Sequence, residues 1–374
     1  MRNLRGSLGM KIAHVVDSME VGGAETLVSQ MCHLQREQGH ETSVYAIAAL
    51  GAVGERMQSE GFDVRANLGR HLIDSTRTFF RIFRDSRPDV VHLHNPTPTI
   101  YAGPAARAAG VSSIVSTRHS LVAPPRHFVM ERKYAIAARF CDWIVGICDA
   151  TTNNIKDARS APPNKIVRVY NGTSPVERLP QEQRLSKLGF TLLYVGRQEA
   201  VKNHEMLLQA FRGALPIIPD LQLWMVGDGS ERSRLEELVA QLEIQEHVRF
   251  WGQRLDVTPF FASADVFIMS SVSEGLPMSL LQAFSAGLPA IVTDVGGMGE
   301  VVRLAEAGVT VPTRDAQAMT AAIVSLAGDP GARAEFSMKA EQAFRAHFTL
   351  QEMTAAYMKL YESTPRAQRL RKAR

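Results

Sequence analysis

Short runs rich in valine and isoleucine recur along almost the whole chain, each followed by a stretch with helical signals. This alternation limits the fold more than any other feature. The first runs are KIAHVVD (11–17), ETSVYAIA (41–48), PDVVHLH (88–94), SSIVST (112–117), CDWIVGI (141–147) and KIVRVYNG (165–172). Near-continuous apolar runs of this length fit parallel strands covered by helices on both faces. Helical stretches lie between them, such as 24–38 closed by Gly39 and 97–109 closed by Gly110. The pattern breaks at NGTSPVERLPQEQ (171–183), where Gly172 and two prolines stand among charges. It restarts with FTLLYVG (190–196), LQLWMVG (221–227), VRFWG (248–252), DVFIMSS (265–271) and PAIVTD (289–294).

A chain of 374 residues is also too long for one ordinary core. The expected fold class is therefore α/β, with two doubly wound parallel-sheet domains facing across a cleft. The domains are expected over 1–172 and 188–345, with a linker over 173–187. Residues 315–363 are helical by period, and 346–374 is expected to form a helix and basic tail returning toward the first domain. Hydrophobic content of 45% with 21% charged residues excludes a disordered or fibrous chain. No apolar run approaches the roughly 18–20 residues that cross a bilayer. LGMKIAHVV (8–16) is cut by Lys11 and His14, so it reads as a first strand behind a loose lead-in, not as a signal peptide. Three cysteines, Cys32, Cys141 and Cys148, are odd in number and include no CxxC, which argues against a disulfide frame or a zinc site. A cytoplasmic location is expected.

Open parallel sheets bind ligands at the carboxyl ends of their strands, so the loops after strands carry the functional reading. In DSMEVGGAETLV (17–28), Gly22 and Gly23 precede a helix and could turn amides toward an anion or a sugar. The same pair is also a plain helix-starting turn, and it does not match GxGxxG. YVGRQEAVKNH (194–204) ends a strand in Gly196 and Arg197 and places Lys202 five residues on; two cations there suit a diphosphate. GDGSE (227–231) is another glycine turn, opening at Gly227, and Arg249 and Phe250 in VRFWGQR suit a nucleobase. In SEGLPMSLLQAF (273–284), Gly275, Leu276 and Pro277 lead into a helix, with Pro277 expected in its first turn and Glu274 at the lip. The amides of Met278, Ser279 and Leu280 form the helix start, where phosphate is favoured by about 0.3–1 kcal/mol. Gln282 lies about one turn inside.

The ordered set GGAE, GRxxxxKN (196–203), GDG (227–229), SEGLPMSLLQA (273–283) and TDVGGxxE (293–300) resembles the retaining glycosyltransferases of family four, with the two-domain Rossmann-like GT-B architecture. The resemblance covers nearly the whole chain. It implies that Arg197 and Lys202 bind the diphosphate of a nucleotide-sugar donor. Glu274 then contacts the donor sugar's hydroxyls as the first acid of an E-x7-E motif. His119, in STRHS (116–120), faces the donor sugar from the amino-terminal domain, and Gly23 lies beside acceptor and phosphate. Glu300 closes the last motif, with helix capping as its other reading. The implied reaction is transfer with retention from a UDP- or GDP-sugar to a saccharide or lipid-linked acceptor, in cell-surface polysaccharide or glycolipid synthesis. No D-x-D occurs in the chain, so no metal and no other cofactor is expected.

Gln282 departs from the family by standing where the second glutamate accepts from ribose. An amide accepts at one atom and donates at the other, so a weaker or altered nucleotide preference is expected. His92 and His94 form an HxH, but no third ligand lies near in sequence, and cleft lining or packing is the better reading. The arginines at 77, 81, 84 and 87, and the basic residues Arg118, Arg126, Arg132, Lys133 and Arg139, suit a solvated face or an anionic membrane surface. The modest charge of +4 chooses no partner, and few aromatics interleave the basic stretches, so nucleic acid is not expected. Acceptor contacts are expected from the loops at 70–77 and 119–131. A sugar-nucleotide 2-epimerase and a weakly catalytic nucleotide-sugar binder are the competing classes.

Overall fold

A computed structural model describes residues 9–69, 71–121, 128–364 and 366–368. Most of the lead-in, Arg126 and the tail at 369–374 lie outside the described residues, as do parts of both expected acceptor loops. The chain forms two compact units, one of Met1–Gly172 with Leu350–Arg374 and the other of Thr173–Thr349.

The first unit holds seven strands: β1 (Lys11–Val16), β2 (Glu41–Ala46), β3 (Asp63–Arg65), β4 (Val90–His94), β5 (Ser113–Arg118), β6 (Trp143–Gly146) and β7 (Ile166–Arg168). They form one sheet in the order β3-β2-β1-β4-β5-β6-β7, with every pairing parallel. Alternate side chains of a strand face opposite sides. Ala13 and Val15 therefore enter a core with Phe79, Phe83 and Leu93, while Val16 joins Val28, Cys32 and Val44 on the other side. On that second side the alternation also places His14, His92 and His94, under the helices Gly23–Glu37 and Leu350–Ser363.

The second unit holds β8 (Thr191–Val195), β9 (Gln222–Val226), β10 (Val248–Gly252), β11 (Val266–Met269), β12 (Ala290–Thr293) and β13 (Gly308–Val311). Their order is β10-β9-β8-β11-β12-β13, again all parallel. The proline-bearing stretch 173–187 lies on this unit: the Val176 amide donates to Ser285 Oγ at 3.0 Å, and Arg178 donates to both oxygens of Glu341 at 2.7 Å. Thr173 and Thr349, first and last residues of the unit, pair as a parallel bridge.

Each order reverses once, between β1 and β4 and between β8 and β11. At such a point the flanking loops leave in opposite directions and open a crevice at the strand ends. Both crevices carry residues singled out in the sequence.

Candidate active site

In the second unit the reversal brings the loop after β8 against the loop after β11. Lys202 Nζ and Glu274 Oε1 form a tight ion pair, and Ser271 Oγ donates to the same carboxylate oxygen at 2.8 Å. The two charged side chains are 15% and 13% exposed, so water screens them little. Ser270 Oγ donates to the carbonyls of Lys202 and Asn203, and the Val272 amide donates to the Val201 carbonyl at 2.9 Å, which fastens one loop to the other. A third loop closes on them from the end of β12. Gly296 sits at φ 53°, where a Cβ would lie 1.9 Å from the Glu274 carbonyl oxygen, and the Gly297 amide donates to the Gly275 carbonyl at 2.6 Å. Only glycine meets both demands at position 296.

Arg197, two residues past β8, pairs with Glu199 and not with Glu274 among the described residues. It is 68% exposed and bonds Glu199 at 2.8 Å, a contact worth about 0.2–1 kcal/mol and easily exchanged. Gly227, at the end of β9, packs so closely that a Cβ would lie 2.0 Å from the Gly196 oxygen. Pro277 occupies the N-cap of the helix Met278–Ser285, one position before the first turn where it was expected. Its ring offers no side-chain cap to the amides of Met278, Ser279 and Leu280, which fits an anion site at that end. Leu276 is buried behind this loop, and half-buried Gln282 makes no side-chain hydrogen bond among the described residues. Arg249 and Phe250 lie on edge strand β10, separated from β8 by β9. Arg249 stacks on Trp251, and the Arg232 guanidinium covers Phe250 at 4.3 Å. Glu300 is the fifth residue of the helix Gly296–Ala305.

In the first unit the reversal joins the ends of β1, β4 and β5. His119 follows β5, and its amide donates to Asn95 Oδ1 at 3.1 Å. Asn95 follows β4 at φ 76°, a left-handed value that costs a non-glycine residue about 1–3 kcal/mol and is common at functional sites. Asp17 follows β1, where burial pushes its carboxyl up while Thr97 and Asn95 act the other way. Sequence reasoning did not single out Asp17 or Asn95. The available signal was a polar residue directly after an apolar strand. Gly22 is the N-cap and Gly23 the first residue of the helix Gly23–Glu37. The Glu25 carboxylate folds over that start, 2.2 Å from where a Gly22 Cβ would stand, so the helix end already faces an acid of the chain.

Behind His119 lies a cluster of histidines. The ligand-capable atoms of His14, His92 and His94 fall within 4.8 Å of one another, so the structure supplies the third ring that the sequence lacked nearby. It comes from the register of β1 on β4, which pairs His14 with His92. Every ring nitrogen of the trio already has a partner. His14 meets His94 at 3.1 Å and Gln35 at 2.9 Å; His92 meets Thr117 at 2.8 Å and Tyr361 at 2.7 Å; the other nitrogen of His94 meets His119 at 3.1 Å. A metal would have to break several of these contacts, and hydrogen bonding accounts for the cluster without one. Burial pushes His14 and His119 down to about 4, and His92 and His94 well below their usual value. All four rings are neutral at pH 7.

Two family models match the chain in tandem: Glycosyltransferase Family 4 over 21–176 and Glycosyl transferases group 1 over 176–343. The chain belongs to the family 4, group 1 glycosyltransferases. This glycosyltransferase is 27% identical to the phosphatidyl-myo-inositol mannosyltransferase of Mycobacterium leprae over 91% of its own length and 93% of that protein's. It is 31% identical to LpsE, a lipopolysaccharide core biosynthesis glycosyltransferase of Rhizobium meliloti; that match takes in 46% of this chain and spans only half, 50%, of the relative. The fold is GT-B. HepE of Anabaena, solved with UDP, superposes with a TM-score of 0.81 at 19% identity, covering 95% of this chain and all of that one.

Proposed function

We propose that this glycosyltransferase moves a hexosyl group from a UDP- or GDP-sugar to a saccharide or lipid-linked acceptor, with retention at the anomeric carbon, in cell-surface polysaccharide or glycolipid synthesis. The Lys202–Glu274 pair at the β8/β11 reversal carries the reading. A cation and a carboxylate held together out of water are poised to exchange partners. When a donor enters, Lys202 passes to the diphosphate, and Glu274 is left to accept from the sugar's hydroxyls. Arg197 gives up its exposed bond to Glu199 and joins Lys202, while the amides of Met278, Ser279 and Leu280 take further phosphate charge.

The diphosphate leaves as the bond from anomeric carbon to oxygen breaks. The acceptor hydroxyl attacks from the same face, and its proton passes to the departing phosphate oxygen, so configuration is kept. The demand on the protein is to stabilise charge on the leaving group, and donors aimed at developing charge are worth about 10²–10³ each in turnover. Cationic side chains and amides meet that demand with no step through a metal. The mannosyltransferase and lipopolysaccharide names of the relatives support a glycolipid or polysaccharide acceptor, and the UDP bound to HepE supports a uridine donor.

A cytoplasmic protein peripheral to an anionic membrane fits the basic face of the helix Leu72–Ser86. Arg77, Arg81 and Arg84 are exposed there and Phe79 and Phe83 are spent on the core, while Leu72 and Ile73 stay exposed at the helix start, so a lipid surface would meet charge together with an apolar end. Among the described residues no helix is long and apolar enough to cross a membrane.

The test is transfer from UDP-glucose, UDP-galactose and GDP-mannose to lipid and saccharide acceptors, with and without a chelator, and with product configuration read by proton couplings. Retention and chelator resistance are expected. Lys202→Met is expected to lower kcat/KM about 10²–10³-fold. Turnover within twofold of the parent would overturn the diphosphate role. A changed sugar appearing without acceptor would replace the proposal with the epimerase class.

A further inference from the structure

Four side chains of the first unit run in one line from its interior to the strand-end crevice. Gln35 Oε1 lies 2.9 Å from His14 Nε2, His14 Nδ1 lies 3.1 Å from His94 Nε2, and His94 Nδ1 lies 3.1 Å from His119 Nε2. Gln35, His14 and His94 are at most 2% exposed; His119 is half-buried. A neutral imidazole has one N–H and one bare nitrogen, so a line of neutral rings has only two possible directions, and either end chooses between them.

The inner end is an amide oxygen, which only accepts. His14 must then donate through Nε2, leaving Nδ1 bare to accept from His94 Nε2–H. The same step repeats outward: His94 Nδ1 accepts from His119 Nε2–H, and His119 is left with a bare Nδ1. Its Nδ1 has no partner among the described residues. With the Gln35 amide turned, every link would reverse and His119 would show an N–H instead.

The surroundings favour the first direction. Tyr361 Oη lies 2.7 Å from His92 Nδ1 and His92 Nε2 lies 2.8 Å from Thr117 Oγ1, contacts that the Nε2–H tautomer of His92 satisfies with the phenol donating. This leaves the Tyr361 oxygen as an acceptor. The Gln35 side chain lies close enough to that phenol to act against the rise that burial causes, and its amide nitrogen meets no partner in hydrogen-bonding geometry.

We propose that Gln35, His14 and His94 are positioning residues that set the tautomer of His119, so that the ring presents a hydrogen-bond acceptor, Nδ1, to a hydroxyl of the donor sugar. The proposal rests on the reading that His119 faces that sugar. The strand-end crevice of the first unit would then recognise a sugar hydroxyl as a donor, with His119 Nδ1 accepting. A ring free to rotate between tautomers would offer the acceptor only part of the time.

The first measurement needs no variant and no ligand. Long-range proton–nitrogen spectra of the whole protein, labelled with ¹⁵N in histidine, distinguish bare from protonated ring nitrogens at pH 7. All three rings are expected as Nε2–H with bare Nδ1. An Nδ1–H on His119 overturns the proposal.

The second uses Gln35→Met, which fills the same space without an acceptor. A mixture of His119 tautomers is expected, with UDP-glucose bound about three- to tenfold more weakly and UDP bound as before; GDP-mannose and GDP replace them if uridine nucleotides do not bind. His119 remaining wholly Nε2–H in a folded variant would overturn control from the inner end. A changed tautomer with unchanged sugar-nucleotide affinity would uphold the relay and sink the donor-facing reading of His119.

Discussion

On the proposed reading, in which position 282 faces the ribose of the donor, a carboxylate there would accept from two hydroxyls with a charged group, whereas an amide accepts with one neutral oxygen. Bonds to a charged acceptor are about twice as strong as neutral ones, which puts the difference near 1 kcal/mol. Gln282 stands one turn into the helix Met278–Ser285, half-buried and with its side chain uncommitted among the described residues, so the exchange requires no repacking. Gln282→Glu is expected to tighten donor binding about fivefold, by titration calorimetry, with turnover nearly unchanged because ribose lies away from the bond being broken. Unchanged affinity would remove position 282 from the ribose. The ion pair nearby works differently. Glu274 and Lys202 were legible from spacing because their motifs sit in the loops they shape, while Asp17, Asn95 and Gln35 carry no motif. Their contacts appear only when three strand ends and a covering helix are brought together.

Loops and strands obey the same distinction between local and distant causes. Strands that run through a sheet's centre announce themselves as apolar runs, as TLLYV and VFIM do. The two strands missing from the sequence reading, Asp63–Arg65 and Gly308–Val311, are edge strands with one buried residue each, so neither carries such a run. The HxH reads as cleft lining or packing from sequence because its partner His14 lies 78 residues away and arrives only through the parallel register of β1 and β4. Gly296 falls inside the TDVGGxxE motif, but the motif does not say that this glycine is required by the Glu274 loop lying against it. Gly296→Ala tests that dependence. A left-handed alanine costs about 1–2 kcal/mol, and a Cβ 1.9 Å from the Glu274 oxygen forces the two loops apart as well. Denaturation of the second unit is expected to show a loss of at least about 2 kcal/mol, with Glu274 displaced and donor affinity reduced. A fully stable variant would mean that the loops separate without cost.

Acid should separate the two units, because they have buried very different numbers of histidines. Four rings of the first unit, His14, His92, His94 and His119, are held below the usual value near 6.5, two of them at about 4. The one buried histidine among the described residues of the second unit is His204, also pushed down to about 4 by burial, with Lys202 adding to it. A histidine kept neutral by folding binds its proton more readily in the unfolded chain. Its contribution is complete above pH 6.5 and is lost as pH falls toward 4, at about 1.4 kcal/mol per pH unit for each ring. Between pH 7.5 and pH 5 the loss approaches about 2 kcal/mol per histidine, so the first unit should weaken by several kcal/mol more than the second. Tryptophan emission can follow each unit: Trp143 lies in the first and Trp224 and Trp251 in the second. In Trp143→Phe the remaining signal reports the second unit, and in the double variant Trp224→Phe, Trp251→Phe it reports the first. The denaturant midpoint of the first unit is expected to fall steeply below pH 6.5 while that of the second falls gently. Parallel decline of both midpoints would show that the histidine cluster opens to water before the unit unfolds, and that its rings are not sealed in the neutral form on which the relay to His119 depends.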